Sequence, residues 1–152
     1  MESGANGLWF GNGHVLIRLA RADNADGISV LEHRLPFDDA PPLHVHHDED
    51  EIFHLLEGEV RLRVGGEVLT VGAGDLLLAP RGVPHGHRVL SPGGARLLTV
   101  TRGGSEAMVR AASRPAPAVV LPEPTVPTPE MQTDLAARCA AQRIELLGPP
   151  ID

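Results

Sequence analysis

The chain has 152 residues, with 13 Lys and Arg against 20 Asp and Glu, a formal net charge of -7; this acidic balance argues against a nucleic-acid backbone binder, which needs a clustered basic excess. A single cysteine, Cys139, excludes an internal disulfide and fits a reduced, cytoplasmic setting, while the absence of a leader-like start and of any apolar run near about 18 residues argues against membrane insertion. The length suits one domain able to bury about two-thirds of its unfolded surface, and the absence of tyrosine excludes tyrosine-based radical or acid–base chemistry.

In chain order, Trp9 and Phe10 precede two β-type apolar runs, His14 to Ala20 and Gly27 to Leu35, separated by the polar turn RADNADG. Large aromatics are usually recruited for buried area, so Trp9 and Phe10 are expected to plug one end of a core. Pro36, Pro41 and Pro42 then deliver the chain into LHVHHDEDEIFHLLEG, Leu43 to Gly58. His44 and His46 stand two apart, which puts both imidazoles on one face of a strand. Asp48, Glu49 and Asp50 read as a mostly solvated loop at a site mouth. Beyond them Glu51, Phe53 and Leu55 share one strand face, which makes Glu51 the carboxylate most easily brought beside the two histidines, and His54 should point away.

EVRLRV (Glu59 to Val64) alternates strictly, with Val60, Leu62 and Val64 on one face and Arg61 and Arg63 on a solvated face that blunts an edge. Gly65 and Gly66 close a hairpin into EVLTV. DLLLAP, HGHRVL and ARLLTV complete a series of short strands between Gly and Pro turns, the pattern of an all-β sandwich or barrel. After residue 104 the character changes. Ser105 to Ala112 reads as a short helix, and six prolines from Pro115 to Pro129 mark a semi-rigid strap. Thr128, Pro129 and Glu130 form a helix start; Met131, Leu135 and Cys139 give an apolar stripe for packing, and IELLGPPID ends the sequence as an extended apolar tail.

The turn Pro80-Arg81-Gly82 leads through Pro84 to His85, a third imidazole candidate. His44, His46, His85 and Glu51 together form a borderline-to-hard ligand set suited to one divalent transition ion, whether iron, manganese, nickel, copper, cobalt or zinc. His14, His33, His47 and His54 read as ordinary surface or core residues. His87, two residues beyond His85 on the same strand, should face the same interior and either orient a ligand or bond a carbonyl.

The pattern His44-x-His46, four residues, Glu51, six residues, Gly58 resembles the first motif of the cupin superfamily. Gly74, five residues, Pro80, one residue, Gly82, two residues, His85 resembles the second, and the 15 residues between Gly58 and Gly74 match the spacing of small microbial single-domain cupins. Two positions depart from the pattern: Asp38 stands where a glycine is usual and Val89 where an asparagine is usual. The resemblance implies a single-domain jelly-roll barrel, the double-stranded β-helix, over residues 1–104, with residues 105–152 packed on it as a short helical extension. The arrangement is similar to bacterial cupins related to quercetin dioxygenases. It implies a metal-dependent oxygenase acting on a chelating phenol or enol in an apolar pocket that includes Phe53, Leu55, Leu62 and His87, with Glu51 as both ligand and base. Two other outcomes stay open: a non-redox cyclase, isomerase or lyase, and a non-catalytic small-molecule binder. The resemblance also implies a homodimer paired through its N-terminal strands, for which HVLIRLA is apolar enough.

Overall fold

Alternating apolar residues between Gly and Pro turns become strands, and these pair into two facing antiparallel sheets in the computed structural model, which describes residues 4–152. The strands are β1 (Leu8–Phe10), β2 (Gly13–Leu19), β3 (Ser29–Leu35), β4 (Leu43–His46), β5 (Glu51–Glu57), β6 (Glu59–Val64), β7 (Glu67–Gly72), β8 (Leu76–Ala79), β9 (His85–Val89) and β10 (Ala95–Thr101), followed by the helix α1 (Ser105–Ala112), β11 (Arg114–Pro115), α2 (Pro129–Ala140) and β12 (Ile144–Gly148). One sheet runs β11-β1-β2-β3-β10-β5-β8 and the other β12-β4-β9-β6-β7. The expected all-β jelly-roll barrel is the observed fold. Among the described residues no helix is long and apolar enough to cross a membrane.

Register sets what meets inside. On the first sheet Leu97 of β10 lies between His33 of β3 and Leu55 of β5, and Thr99 lies between Leu31 and Phe53. On the second sheet His44 of β4 pairs with His85 of β9, and His87 pairs with Leu62 of β6. Side chains alternate across each strand, so these residues line the space between the sheets. One apolar cluster, built on Leu55, Val60, Val71, Val89 and Leu97, fills one half of that space. A second gathers Val15, Leu31, Met108, Val109, Cys139 and Ile144, where the C-terminal segments cover β2 and β3.

The segment after residue 104 does more than lie on the barrel. β11 extends the first sheet beside β1, and β12 pairs with β4, with Ile144 opposite His46 and Leu146 opposite His44. The tail therefore backs the strand that carries two of the histidines. The proline-rich strap is held by side chains from the N-terminal region: Asn6 Nδ2, Trp9 Nε1 and Asn12 Nδ2 donate to the carbonyls of Pro117, Val120 and Thr125 at 2.8–2.9 Å. Phe10 packs on the second cluster as expected, whereas Trp9 serves the strap. Capping of α2 is as expected, with Thr128 Oγ1 accepting from the Met131 N–H at 3.1 Å.

Two expectations need correction. β6 lies between β9 and β7, so Arg61 and Arg63 guard no edge; Arg61 donates to the Asp152 carbonyl and Arg63 to that of Gly65. Met131 is 49% exposed, because α2 rests on the barrel through its last turns, where Cys139 is 3% exposed. β2 pairs with β3 along its length and with β1 over Gly13–Val15 only.

The two departures from the motif have local explanations. Asp38 adopts φ 67°, the left-handed conformation for which glycine is the usual choice, and its carboxylate receives Arg88 Nη1 at 2.8 Å. Val89 is 1% exposed in the first cluster, and its N–H donates to the Asp39 carbonyl. At Gly58 the residue type follows from the turn: φ is 90°, and a Cβ would collide with the Gly94 carbonyl oxygen across it.

Candidate metal centre

β4, β5 and β9 bring His44, His46, Glu51 and His85 to one end of the interior. One donor atom from each lies within 4.8 Å of the others. Glu51 Oε1 is 3.0 Å from His85 Nε2 and 3.6 Å from His46 Nε2. The imidazole centroids stand 4.5 Å apart for His44 and His85 and 5.2 Å apart for His46 and His85. His46, Glu51 and His85 are buried and His44 is half-buried, so the cluster opens to solvent on the His44 side.

The outward nitrogen of each imidazole has an acceptor. His44 Nδ1 meets the Pro42 carbonyl at 2.8 Å, His85 Nδ1 meets that of Val83 at 3.4 Å, and His46 Nδ1 meets Glu49 Oε1 at 3.1 Å. A histidine that donates from Nδ1 presents an unprotonated Nε2, the form that binds a metal. With an ion bound, that tautomer in all three rings would aim the Nε2 lone pairs at one point; without one, His85 Nε2 donates to Glu51 Oε1 at 3.0 Å. The donor set of three imidazoles and one carboxylate fits a divalent transition ion.

Electrostatics agree. Burial and the nearby His85 push His44 down to about 4, so it is a neutral donor at pH 7. Burial opposes ionisation of Glu51, but the His46 charge and the His85 hydrogen bond outweigh it and hold the carboxyl well below the usual carboxylate range. Burial also opposes protonation of His46, and Glu51 and Glu49 outweigh that, so its pKa is raised. The centre thus sets an ionised carboxylate beside a His46 that holds its proton more tightly than usual, a proton that a bound cation would displace.

Glu49 corrects the reading of the acidic run as a mostly solvated loop. Asp48 and Asp50 are exposed, but Glu49 is 5% exposed. Its Oε1 accepts from His46 Nδ1 and, at 3.2 Å, from the Ser105 N–H at the start of α1. Gly103 leaves room for it, since a Cβ there would overlap Glu49 Oε2. Asp50 Oδ1 accepts from the Arg81 N–H at 2.7 Å and ties this loop to the turn before His85.

Phe53, Leu55, Leu62 and His87 line a small apolar cleft with about 20 Å³ of free space, together with Val60, Val71, Leu77 and Leu97. Phe53 meets the His85 ring edge-on at 5.7 Å between centroids, which joins the cleft to the ligand cluster. His87 Nε2 is 3.4 Å from Asp39 Oδ2, so its partner is a carboxylate rather than a carbonyl. His33 also belongs here, which its reading as an ordinary residue missed: its Nε2 is 3.0 Å from Thr99 Oγ1, and Glu51, His87 and Asp39 all act on its charge. The available signal was strand parity, since Leu31, His33 and Leu35 share a face. The other three histidines lie elsewhere. His14 is fully buried against the Asn6 carbonyl, His47 pairs with Glu145 at the surface, and His54 faces the opposite side of β5 from Glu51.

Comparison with known proteins agrees with this geometry. Residues 31–101 match the cupin domain family. A stretch of 69 residues, 45% of this chain, is 39% identical to quercetin 2,3-dioxygenase of Bacillus subtilis (strain 168); it spans 20% of the length of that protein. A crystal structure from Thermus thermophilus is similar over 67% of this chain and 89% of its own, with 28% identity and a TM-score of 0.52. A predicted oxalate decarboxylase from Thermotoga maritima shares the fold over 66% of this chain and 96% of its own, with 20% identity and a TM-score of 0.60. Two matching motifs, a family match that contains all four clustered side chains, and a two-sheet barrel of the same architecture mark residues 31–101 as a cupin domain.

Proposed function

We propose that this chain is a metal-dependent oxygenase of the quercetin-dioxygenase-like kind, acting on a small molecule with a chelating phenol or enol. The observation that carries the reading is the convergence of His44, His46, Glu51 and His85 within 4.8 Å at the head of an apolar cleft. The similarity to quercetin 2,3-dioxygenase over 69 residues supports the choice of reaction. A bound transition ion would supply Lewis acidity and, if redox-active, a means of engaging dioxygen.

The chain's own residues do the rest. His44, His46 and His85 hold the ion. Glu51, ionised among them, accepts the proton of the substrate hydroxyl on a carboxylate oxygen and leaves an oxygen anion beside the centre. Phe53, beside the His85 ring, meets the apolar body of the substrate, and Leu55 and Leu62 behind it exclude water.

The test is elemental analysis of the purified protein together with oxygen uptake in the presence of a flavonol such as quercetin. Stoichiometric metal, oxygen consumption by wild type, and loss of both in His44→Ala support the proposal. Turnover under nitrogen with zinc bound would replace it with a non-redox isomerase or lyase, and saturable binding without product would replace it with a binding protein. Absence of metal from the folded protein, even after incubation with each candidate ion, would overturn it.

A further inference from the structure

The cleft is not uniformly apolar. Next to the ligand cluster, four polar side chains from four different segments face the same space. His33 on β3 is paired with Thr99 on β10, and His87 on β9 is paired with Asp39 from the loop before β4. None has a role in holding a metal: His87 is directed at Asp39, and His33 at Thr99. Thr99 is buried at the inner end, but the others are not sealed in. The side chains of His87 and Asp39 keep 15% and 22% exposure, and His33 and His44 are half-buried. The polar group therefore lies along the opening of the barrel.

We propose that His33, Thr99, His87 and Asp39 form a second recognition point for a hydroxyl group on the substrate, set apart from the chelating end; this rests on the metal-dependent reading above. His87 stands two strand positions beyond His85, about 6–7 Å of rise, so the hydroxyl stands roughly that far from the chelating oxygens. The chemistry selects a hydroxyl over an anion. Asp39 and Glu51 are carboxylates facing the space, and burial pushes His33 down to about 4, which keeps it neutral at pH 7 and unable to offset a second negative charge. A hydroxyl both donates and accepts, so it can satisfy an imidazole in either tautomer. Beyond His87 the cleft closes against buried Leu55, Leu62, Val71 and Leu97, so the molecule is short on that side. The substrate class is a neutral compound with a chelating oxygen pair at one end and one further hydroxyl beyond it.

Two probes of equal size separate the ideas. 4-Ethylcatechol and 3,4-dihydroxybenzyl alcohol share the chelating end and differ in one terminal methyl or hydroxyl. Both are titrated by calorimetry into zinc-loaded protein, in which the catechol is not oxidised. The expected result is roughly tenfold tighter binding of the alcohol by wild type, the worth of one to two net hydrogen bonds. In His87→Leu and in Thr99→Val the preference falls to twofold or less or inverts, while zinc affinity stays as in wild type and reports that each variant is folded. Equal binding of the two probes by zinc-loaded wild type, or a preference retained in both variants, overturns this inference and leaves the metal-dependent reading standing. Failure of folded wild type to take up zinc or any other transition ion overturns both.

Discussion

Replacing Glu49 with Gln tests whether the buried carboxylate behind His46 sets the strength of the metal centre. Gln keeps the size and one acceptor oxygen, so the His46 Nδ1 and Ser105 N–H bonds, 3.1 and 3.2 Å in the native protein, retain a partner and lose its charge. Hydrogen bonds to a charged group are worth about 1.5–3 kcal/mol and neutral ones about 0.5–1.5. The bond to His46 therefore weakens by about 1–1.5 kcal/mol, which lowers the basicity of Nε2 and predicts about tenfold weaker metal binding. Glu49→Ala removes both acceptors in a site only 5% exposed; it leaves Nδ1 and the first N–H of α1 unpaired, and the loss should approach a hundredfold. Competition against a chromophoric chelator gives the dissociation constants, and thermal unfolding of the metal-free proteins separates loss of fold from loss of affinity. Metal affinity unchanged in both variants would refute the argument that Glu49 orients His46.

Three further outcomes are expected. Asp38→Gly removes the left-handed strain at φ 67° and the exposed Arg88 pair together, so its unfolding free energy should stay within about 0.5 kcal/mol of wild type, whereas Asp38→Ala keeps the strain, loses the pair and should cost about 1 kcal/mol or more; denaturant midpoints compare them, and equal stability of the Ala and Gly variants would refute the strain argument. His33 falls from 6.5 to about 4 on folding, so the unfolded chain takes up its proton first and the stability contributed by neutral His33 is lost as pH drops from 6.5 towards 4, by at most about 3 kcal/mol; above pH 6.5 this contribution is constant, and the stability gap between metal-free wild type and His33→Gln should narrow over that window in denaturant titrations. Ile144→Ala, at a side chain 2% exposed opposite His46 on β12, should cost about 2–4 kcal/mol of stability and weaken metal uptake by loosening β4, read by calorimetry and chelator competition; full stability would show that β12 is dispensable backing.

What the sequence made legible was what rests on short-range periodicity. The two-residue spacing of His44 and His46, and of Glu51, Phe53 and Leu55, fixes their faces through strand alternation alone, and a turn requiring φ 90° at Gly58 leaves its mark as a glycine. The same rule applied to Leu31, His33 and Leu35 points His33 inward, and treating it as an ordinary residue set that parity aside. Glu49 is different in kind. Three acids in a row are locally equivalent, and the one that turns inward is chosen by the room left at Gly103 and by the free Ser105 N–H, both more than 50 residues away in sequence. Met131 fails for the converse reason: a four-residue apolar repeat states which side of α2 can pack, while the length of surface it meets is set by the barrel and the strap, and that surface covers Cys139 and leaves Met131 in water. The pairing of β12 with β4 likewise depends on the route of the strap, so an apolar tail announces burial without naming its neighbour. The residues that could hold a metal were therefore readable from their own strands, whereas those that surround the cluster and shape its mouth are set by contacts between distant segments.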